Sequence, residues 1–279
     1  MKARKSMNSR GLSFPVILIS GITAAFFLLL GLLVVHRITR VWSPSLKNAE
    51  RLLQKKKYAE ALAVIEKAEN GKEDKPALLV EKGRIWFSLA LEREKRSRWR
   101  DYGTDESNWL KSVEAEKALR CFKKALKLDP ENTEAHYLLG QLYMEKGWYS
   151  RAETEFLEVL RKKKKHVNAL LNLGVTYTQM RRLDLAEREL RNAYVMAPDD
   201  PAVAKNFAYL YRFYLDKPDS AIAWANRYLN LDPQNDLDIN FIRNELEDML
   251  QRYPEYTPSE PMEWKKPRKF KSRFGKSED

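Results

Sequence analysis

A single pattern that returns every 34 residues governs what this chain can fold into. Tyr143, Tyr177 and Tyr211 keep that step, and Gly140, Gly174 and Ala208 keep it three positions earlier. Ala118, Ala152, Ala186 and Ala221 follow at 34, 34 and 35, with Phe122, Phe156 and Leu190 four positions after the first three. Within the period, the apolar residues of HYLLGQLY (136–143) and LLNLGVTY (170–177) fall at helical spacing with Gly on the packing side. A glycine there lets a second helix approach closely, which offsets its cost of ~1 kcal/mol relative to Ala. Ala152 and Ala186 supply the small residue from the partner helix, and Leu139, Tyr143, Phe156 and Val159 are expected to fill the space around them. KGWYSRA (146–152) and MRRLDLA (180–186) read as turns, and Asp-Pro at 129–130 and 232–233 ends a helix. One such helix pair cannot bury its own apolar face, so neighbouring pairs must stack into an all-α array. The residues expected at its packing contacts are Gly140, Tyr143, Ala152, Gly174, Tyr177, Ala186, Ala208 and Tyr211.

This period and its content resemble the tetratricopeptide repeat (TPR) family over most of the chain. The resemblance implies a right-handed superhelical solenoid of helix–turn–helix repeats, with the first helix of each pair lining a concave surface. The inward positions would be Glu134, Tyr137, Gln141 and Met144, then Asn168, Leu171, Asn172, Val175 and Gln179, then Lys205, Asn206, Tyr209, Arg212 and Phe213. Among them Tyr137, Gln141, Asn168, Asn172, Lys205, Asn206, Tyr209 and Arg212 are the candidate protein-binding residues, since amides can pair with a peptide backbone while rings cover its side chains. Asn172 and Asn206 also coincide with a residue common at that site in the family. Family members that bind chaperone C-termini use a clamp of Lys and Asn in one repeat, Asn in the next, and Lys and Arg in a third. Here Tyr137, Gln141, Asn172, Ala202 and Asn206 stand in those places and only Asn172 matches, so a co-receptor of that type is not expected.

In chain order, residues 1–13 form a basic flank and residues 14–35 an uncharged run, FPVILISGITAAFFLLLGLLVV. A helix of that length spans about 33 Å, enough for a hydrocarbon core of about 30 Å. A cleaved signal peptide would have a shorter apolar region and a small-residue cleavage site; here HRITRVW follows instead, so a retained transmembrane anchor is expected. Pairs such as Ser20/Ala24 and Gly21/Ala25 offer a route to a homo-oligomer through the anchor. Lys and Arg flank the run on both sides, but a large domain translocates largely regardless of charge, which places the repeats outside the cytoplasm. Residues 42–75 read as a divergent first repeat, with Ala49, Tyr58, Ala61, Ile65 and Ala68 in register. A second repeat spans 76–132 and carries an insertion around 96–108, expected as a solvated connector. Repeats three to five occupy 133–166, 167–200 and 201–235, a capping helix 236–253 with Asp236 and Asp238 near its start, and a disordered basic tail 254–279.

Charge sits at the two ends. The net charge is +12, of which residues 1–40 carry +6 and residues 264–276 carry +7, so the repeats are only mildly basic. In the tail, Lys265, Lys266, Arg268, Lys269, Lys271 and Arg273 are interleaved with Trp264, Phe270 and Phe274. Beyond a merely solubilising end, that composition suits an anionic lipid surface, at about 1 kcal/mol per cation, ahead of a nucleic-acid backbone. The single cysteine, Cys121, permits no disulfide within the chain and reads as a structural thiol. His36, His136 and His166 share no repeat position and have no second His or Cys at metal-ligand spacing, so neither metal nor cofactor is expected. His136 takes the place of a packing residue and reads as a half-buried, satisfied histidine. Gly275-Lys276-Ser277 ends like a phosphate-binding loop, but Phe270 stands where that loop needs Gly and no strand precedes it. With no convergent set of titratable groups, catalysis is not expected. The composite expectation is a single-pass membrane-anchored scaffold that assembles protein partners. The alternatives are a receptor that captures segments in transit and a nucleic-acid-associated membrane protein acting through its tail.

Overall fold

The structure is a computed structural model that describes residues 44–70, 75–100, 112–231 and 238–256. Among these residues there are eleven helices and no strand. The chain divides into two compact units, one through Leu78 and one from Leu79. The expected anchor at 14–35 and the tail from 257 lie outside the described residues, and within them no helix is long and apolar enough to cross a membrane.

In the first unit, α1 (Pro44–Gln54) packs against α2 (Tyr58–Glu69). Ala49 and Leu52 of α1 and Ala61, Ile65 and Ala68 of α2 are buried, which gives this polar pair one apolar seam. The boundary to the second unit falls within α3 (Lys75–Arg100). Here the expected connector is corrected in part: residues 96–100 continue α3, and 101–108 lie outside the described residues. The local sequence REKRSRWR holds no Gly or Pro, and its Arg, Lys and Glu favour helix, so nothing stops the helix before Arg100.

The second unit continues with α4 (Val113–Leu128), then the pairs α5 (Thr133–Glu145) with α6 (Tyr149–Lys162), α7 (Val167–Gln179) with α8 (Leu183–Met196), and α9 (Pro201–Phe213) with α10 (Pro218–Asn230), ending in α11 (Ile239–Arg252). Each helix packs on the next, most densely within each pair, and the first helices touch, α5 on α7 and α7 on α9. All eight residues expected at the packing contacts are buried. The glycines sit against one large side chain of the partner helix. A Cβ on Gly83 would lie 2.5 Å from Phe122 Cε1, one on Gly140 2.7 Å from Phe156 Cε1, and one on Gly174 2.8 Å from Leu190 Cδ2. In the last pair Ala208 replaces the glycine. The extra turn residue puts Ala225 rather than a large residue opposite it, and Trp224 swings onto Phe207 with ring centroids 4.4 Å apart.

The turn within each pair is built one way. One turn residue is left-handed, the second after the helix in Lys56 (φ 58°), Gly147 (68°) and Arg181 (59°) and the third in the longer last turn, Asp216 (49°). The next amide then closes back onto the first helix: Lys57 N on Leu52 O, Trp148 N on Tyr143 O and Arg182 N on Tyr177 O, each at 2.9 Å, and Lys217 N on Tyr211 O at 3.0 Å. This bond satisfies a carbonyl that the helix end would leave orphaned. Three of the four turns adopt the left-handed backbone without glycine, against a cost of ~1–2 kcal/mol. The turn at Lys56 has the same backbone form as the later ones.

Between repeats, the first helices are capped by side chains one period apart: Asn132 accepts from Ala135 N at 3.0 Å, His166 Nδ1 from Ala169 N at 3.1 Å, and Asp200 from Ala202 N at 2.9 Å. His136 is half-buried as expected. Its Nδ1 lies 2.6 Å from Glu155 Oε2 and its Nε2 3.0 Å from the Pro130 carbonyl, so the ring ties α5 to α6 and to the preceding turn.

These two histidines respond to pH with opposite sign. The hydrogen bond to Glu155 raises the His136 pKa, against burial and with help from the Pro130 carbonyl. Its stabilising contribution is therefore complete below the ordinary value near 6.5 and fades as pH rises through the raised one. Burial, and then Lys163, lower the pKa of His166, whose Nδ1 must be unprotonated to accept the Ala169 amide. Its cap is intact above about 6.5 and is lost as pH falls below that. A His166→Asn protein is expected to match wild type at neutral pH and to be more stable than wild type by up to ~1 kcal/mol at pH 5. A His136→Gln protein should show its largest deficit at pH 5 and a smaller one at pH 8. Denaturant melts across that range check both slopes.

Candidate protein-interaction face

The eight candidate binding residues all lie on first helices, but they divide into two groups. On α5 and α7, Tyr137 is half-buried, its ring centroid 6.2 Å from that of Phe156 and 5.1 Å from that of His166. Its hydroxyl accepts from Asn172 Nδ2 at 3.3 Å, which links one first helix to the next, and burial holds its pKa above the usual phenolic value. That leaves Asn172 Oδ1 as an acceptor, the main-chain oxygen being taken by the Thr176 hydroxyl. Gln141 is half-buried and Asn168 exposed, and neither side chain makes a hydrogen bond among the described residues. Two amides without internal partners thus stand on the helices that carry Tyr137 and the half-buried Val175, Gln141 one turn after Tyr137 and Asn168 one turn before Asn172.

On α9 the candidate residues make contacts within the chain. Lys205 Nζ donates to Asp238 at 3.0 Å, and Arg212 donates to Glu245 at 3.1 Å and Asp248 at 3.2 Å. Tyr209 stacks on Phe241, with centroids 5.7 Å apart and planes 7° from parallel. Asn206 Nδ2 donates to the Ala202 carbonyl of its own helix at 2.7 Å. Lys205 and Arg212 therefore hold α11. Their offset to Asp238 and Glu245 is 33 in both cases, one short of the period, so α11 takes the place of a sixth first helix. Its buried Ile242, Leu246 and Met249 close the apolar end of the array. Asp238, just before α11, makes no side-chain capping bond and pairs with Lys205. The matching sevens in the two helices, Lys205/Arg212 and Asp238/Glu245, are the sequence signal for this pairing.

A second missed set joins successive repeats. Tyr177 donates to Glu153 at 2.9 Å, and one period later Tyr211 donates to Glu187 at 2.7 Å. Arg182 reaches Glu153 at 3.2 Å and Arg191 reaches Glu187 at 2.5 Å, so each carboxylate is held by a phenol and a guanidinium. The described residues hold no group of His, Cys, Asp and Glu arranged to bind a metal ion.

Residues 114–147 match the family model described as TPR repeat, and residues 141–202 the one described as tetratricopeptide repeat. This stretch is made of tetratricopeptide repeats. Such proteins generally mediate protein–protein interactions and scaffolding, and no catalytic family is indicated. The protein bimA of Emericella nidulans is 34% identical over 85 residues, covering 30% of this chain and 10% of bimA. Anaphase-promoting complex subunit 3 of Schizosaccharomyces pombe is 27% identical over 124 residues, covering 44% of this chain and 18% of the subunit. The chain thus spans less than a fifth of either relative. Among solved structures, a thermophilic TPR protein from Thermus thermophilus superposes with a TM-score of 0.54 at 19% identity, covering 74% of this chain and 97% of that one, a likeness of fold.

Proposed function

We propose that this protein is a membrane-anchored scaffold that binds an extended segment of a protein partner on the first-helix face of α5 and α7. The observation that carries the reading is the pair of unpartnered amides, Gln141 and Asn168, one helical turn from Tyr137 and from Asn172, whose Oδ1 is open. An extended peptide has the complementary groups: backbone N–H and C=O for the amides and side chains for the ring. The anchor rests on the uncharged run 14–35, and the repeats lie outside the cytoplasm on the translocation argument above. Membership of an assembly is how the name of the fission-yeast relative describes that protein, which agrees with a scaffold role here.

Replacing Gln141 and Asn168 together by Ala is expected to weaken capture of the partner from solubilised membranes roughly 5- to 150-fold, two net hydrogen bonds at ~0.5–1.5 kcal/mol each. Neither amide is bonded internally, so the melting curve should not move. Unchanged capture by this variant would overturn the reading. A start after residue 35 in the mature protein, read by intact mass, would remove the anchor.

A further inference from the structure

The Ala208–Ala225 pairing leaves more than a weaker contact. With small side chains on both helices, a shallow recess open to solvent forms between α9, α10 and α11, floored by the two alanines and by Ile242 and Met249. Around its mouth Tyr209, Phe213 and Phe241 make a cluster of rings with centroids 5.7–6.2 Å apart. Phe213 is 45% exposed and Phe241 43%.

We infer that this recess is the docking site for the chain's own C-terminal segment, with Trp264 laid against the exposed faces of Phe213 and Phe241 at its mouth. The chain leaves the described structure at Tyr256, whose ring packs on the core and lies 6.0 Å from that of Tyr253. Phe241 is eleven residues before the end of α11, about 16 Å along the helix axis. The eight residues 257–264 span up to about 28 Å when extended, so Trp264 reaches the recess. Its C-terminal flank, though not the preceding Glu260 and Glu263, fits the rim in charge. From Asn244 to Tyr256 the formal charge is −3, set by Glu245, Glu247, Asp248 and Glu255 against Arg252, and Arg212 offsets one of these. Residues 264–276 carry +7. Lys265 and Lys266, immediately after the tryptophan, meet both carboxylates and the faces of exposed rings, each of which attracts a cation. The docked tail covers the end of the first-helix array without touching Gln141 or Asn168, so this inference and the partner site on α5 and α7 stand or fall separately.

The test uses the full chain with Phe241 replaced by p-benzoylphenylalanine, irradiated in detergent micelles and in vesicles containing anionic phosphatidylserine. Digestion and mass spectrometry should find the label joined to the peptide holding Trp264, within one chain when isotopically light and heavy proteins are mixed. Trp264→Ala and Phe213→Ala should each lower that yield about 5-fold or more. Phe213 lies outside the buried core, and an unchanged far-UV spectrum and melting curve check that its truncation leaves the fold in place. The same label at Val113, 59% exposed on α4, should not capture the tail. Cross-links joining light to heavy chains would assign the recess to a second copy, and cross-links to lipid alone would assign the tail to the membrane. Either result, or an absence of tail cross-links, overturns the inference.

Discussion

A Gly140→Ala protein is expected to be less stable than wild type by ~1–3 kcal/mol, with a correspondingly lower denaturant midpoint and melting temperature. The added Cβ would lie 2.7 Å from Phe156 Cε1 and 2.9 Å from its Cδ1, closer than such contacts are found. Phe156 is itself fully buried, so the ring has no free space into which to move. Gly83 faces Phe122 in the same way, at 2.5 Å, and should respond alike. At Gly174 the nearest atoms belong to Leu190, a flexible side chain whose terminal methyl can rotate, so Ala there should cost less and the longer Gly174→Leu substitution at least as much as Ala at Gly140. A Gly140→Ala, Phe156→Leu double variant should lose less than the sum of its parts, since leucine relieves the contact that alanine makes. Additive losses would mean that glycine and ring are not a matched pair. Repeat five shows the other solution: with Ala208 opposite Ala225 the helices stay paired, and the unfilled volume becomes the recess.

The sequence made the repeating parts of this fold legible because each repeat faces the same packing problem. The Gly/large pairs, the buried tyrosines and the turns recur at one step and could be read by that step alone. What escaped the reading is what depends on partners in space. Glu153 and Glu187 keep the period as well, but a glutamate on the second helix looks solvated until the tyrosine of the next repeat is seen against it. The capping positions Asn132, His166 and Asp200 also keep it, yet chemical variety hid their common role. The candidate binding face was half legible. Gln141 and Asn168 are open, as an outward amide on a first helix suggests. Lys205, Tyr209 and Arg212 occupy the same register but meet α11, because the last repeat has no successor and its lateral surface must be covered from elsewhere.

The tyrosine–glutamate links carry the second large expectation. Tyr177→Phe and Tyr211→Phe should each destabilise by ~1.5–3 kcal/mol, the range for a hydrogen bond to a charged group. Tyr143→Phe should cost under ~0.5 kcal/mol, because the Tyr143 hydroxyl has no hydrogen bond among the described residues and Leu119 stands where a preceding glutamate would be. All three tyrosines are equally buried, so ring packing cannot separate them; only the carboxylate does. Acid should erase the difference. Burial pushes the Glu187 carboxyl up, but the hydrogen bonds from Tyr211 and Arg191 outweigh it and hold the pKa below its ordinary value. A carboxyl shifted down contributes stability above the ordinary range near 4.3 and loses it as pH falls through the folded value. The Tyr211→Phe deficit should therefore be full at pH 7 and shrink below pH 4, whereas a deficit due to packing would not change. Because Tyr211 and Glu187 belong to neighbouring repeats, the loss should appear as weaker coupling between repeats, with a broader unfolding transition than Gly140→Ala produces at equal destabilisation. Equal costs for all three tyrosines, or a Tyr211→Phe deficit that persists at low pH, would show that the repeats are joined by apolar contact alone.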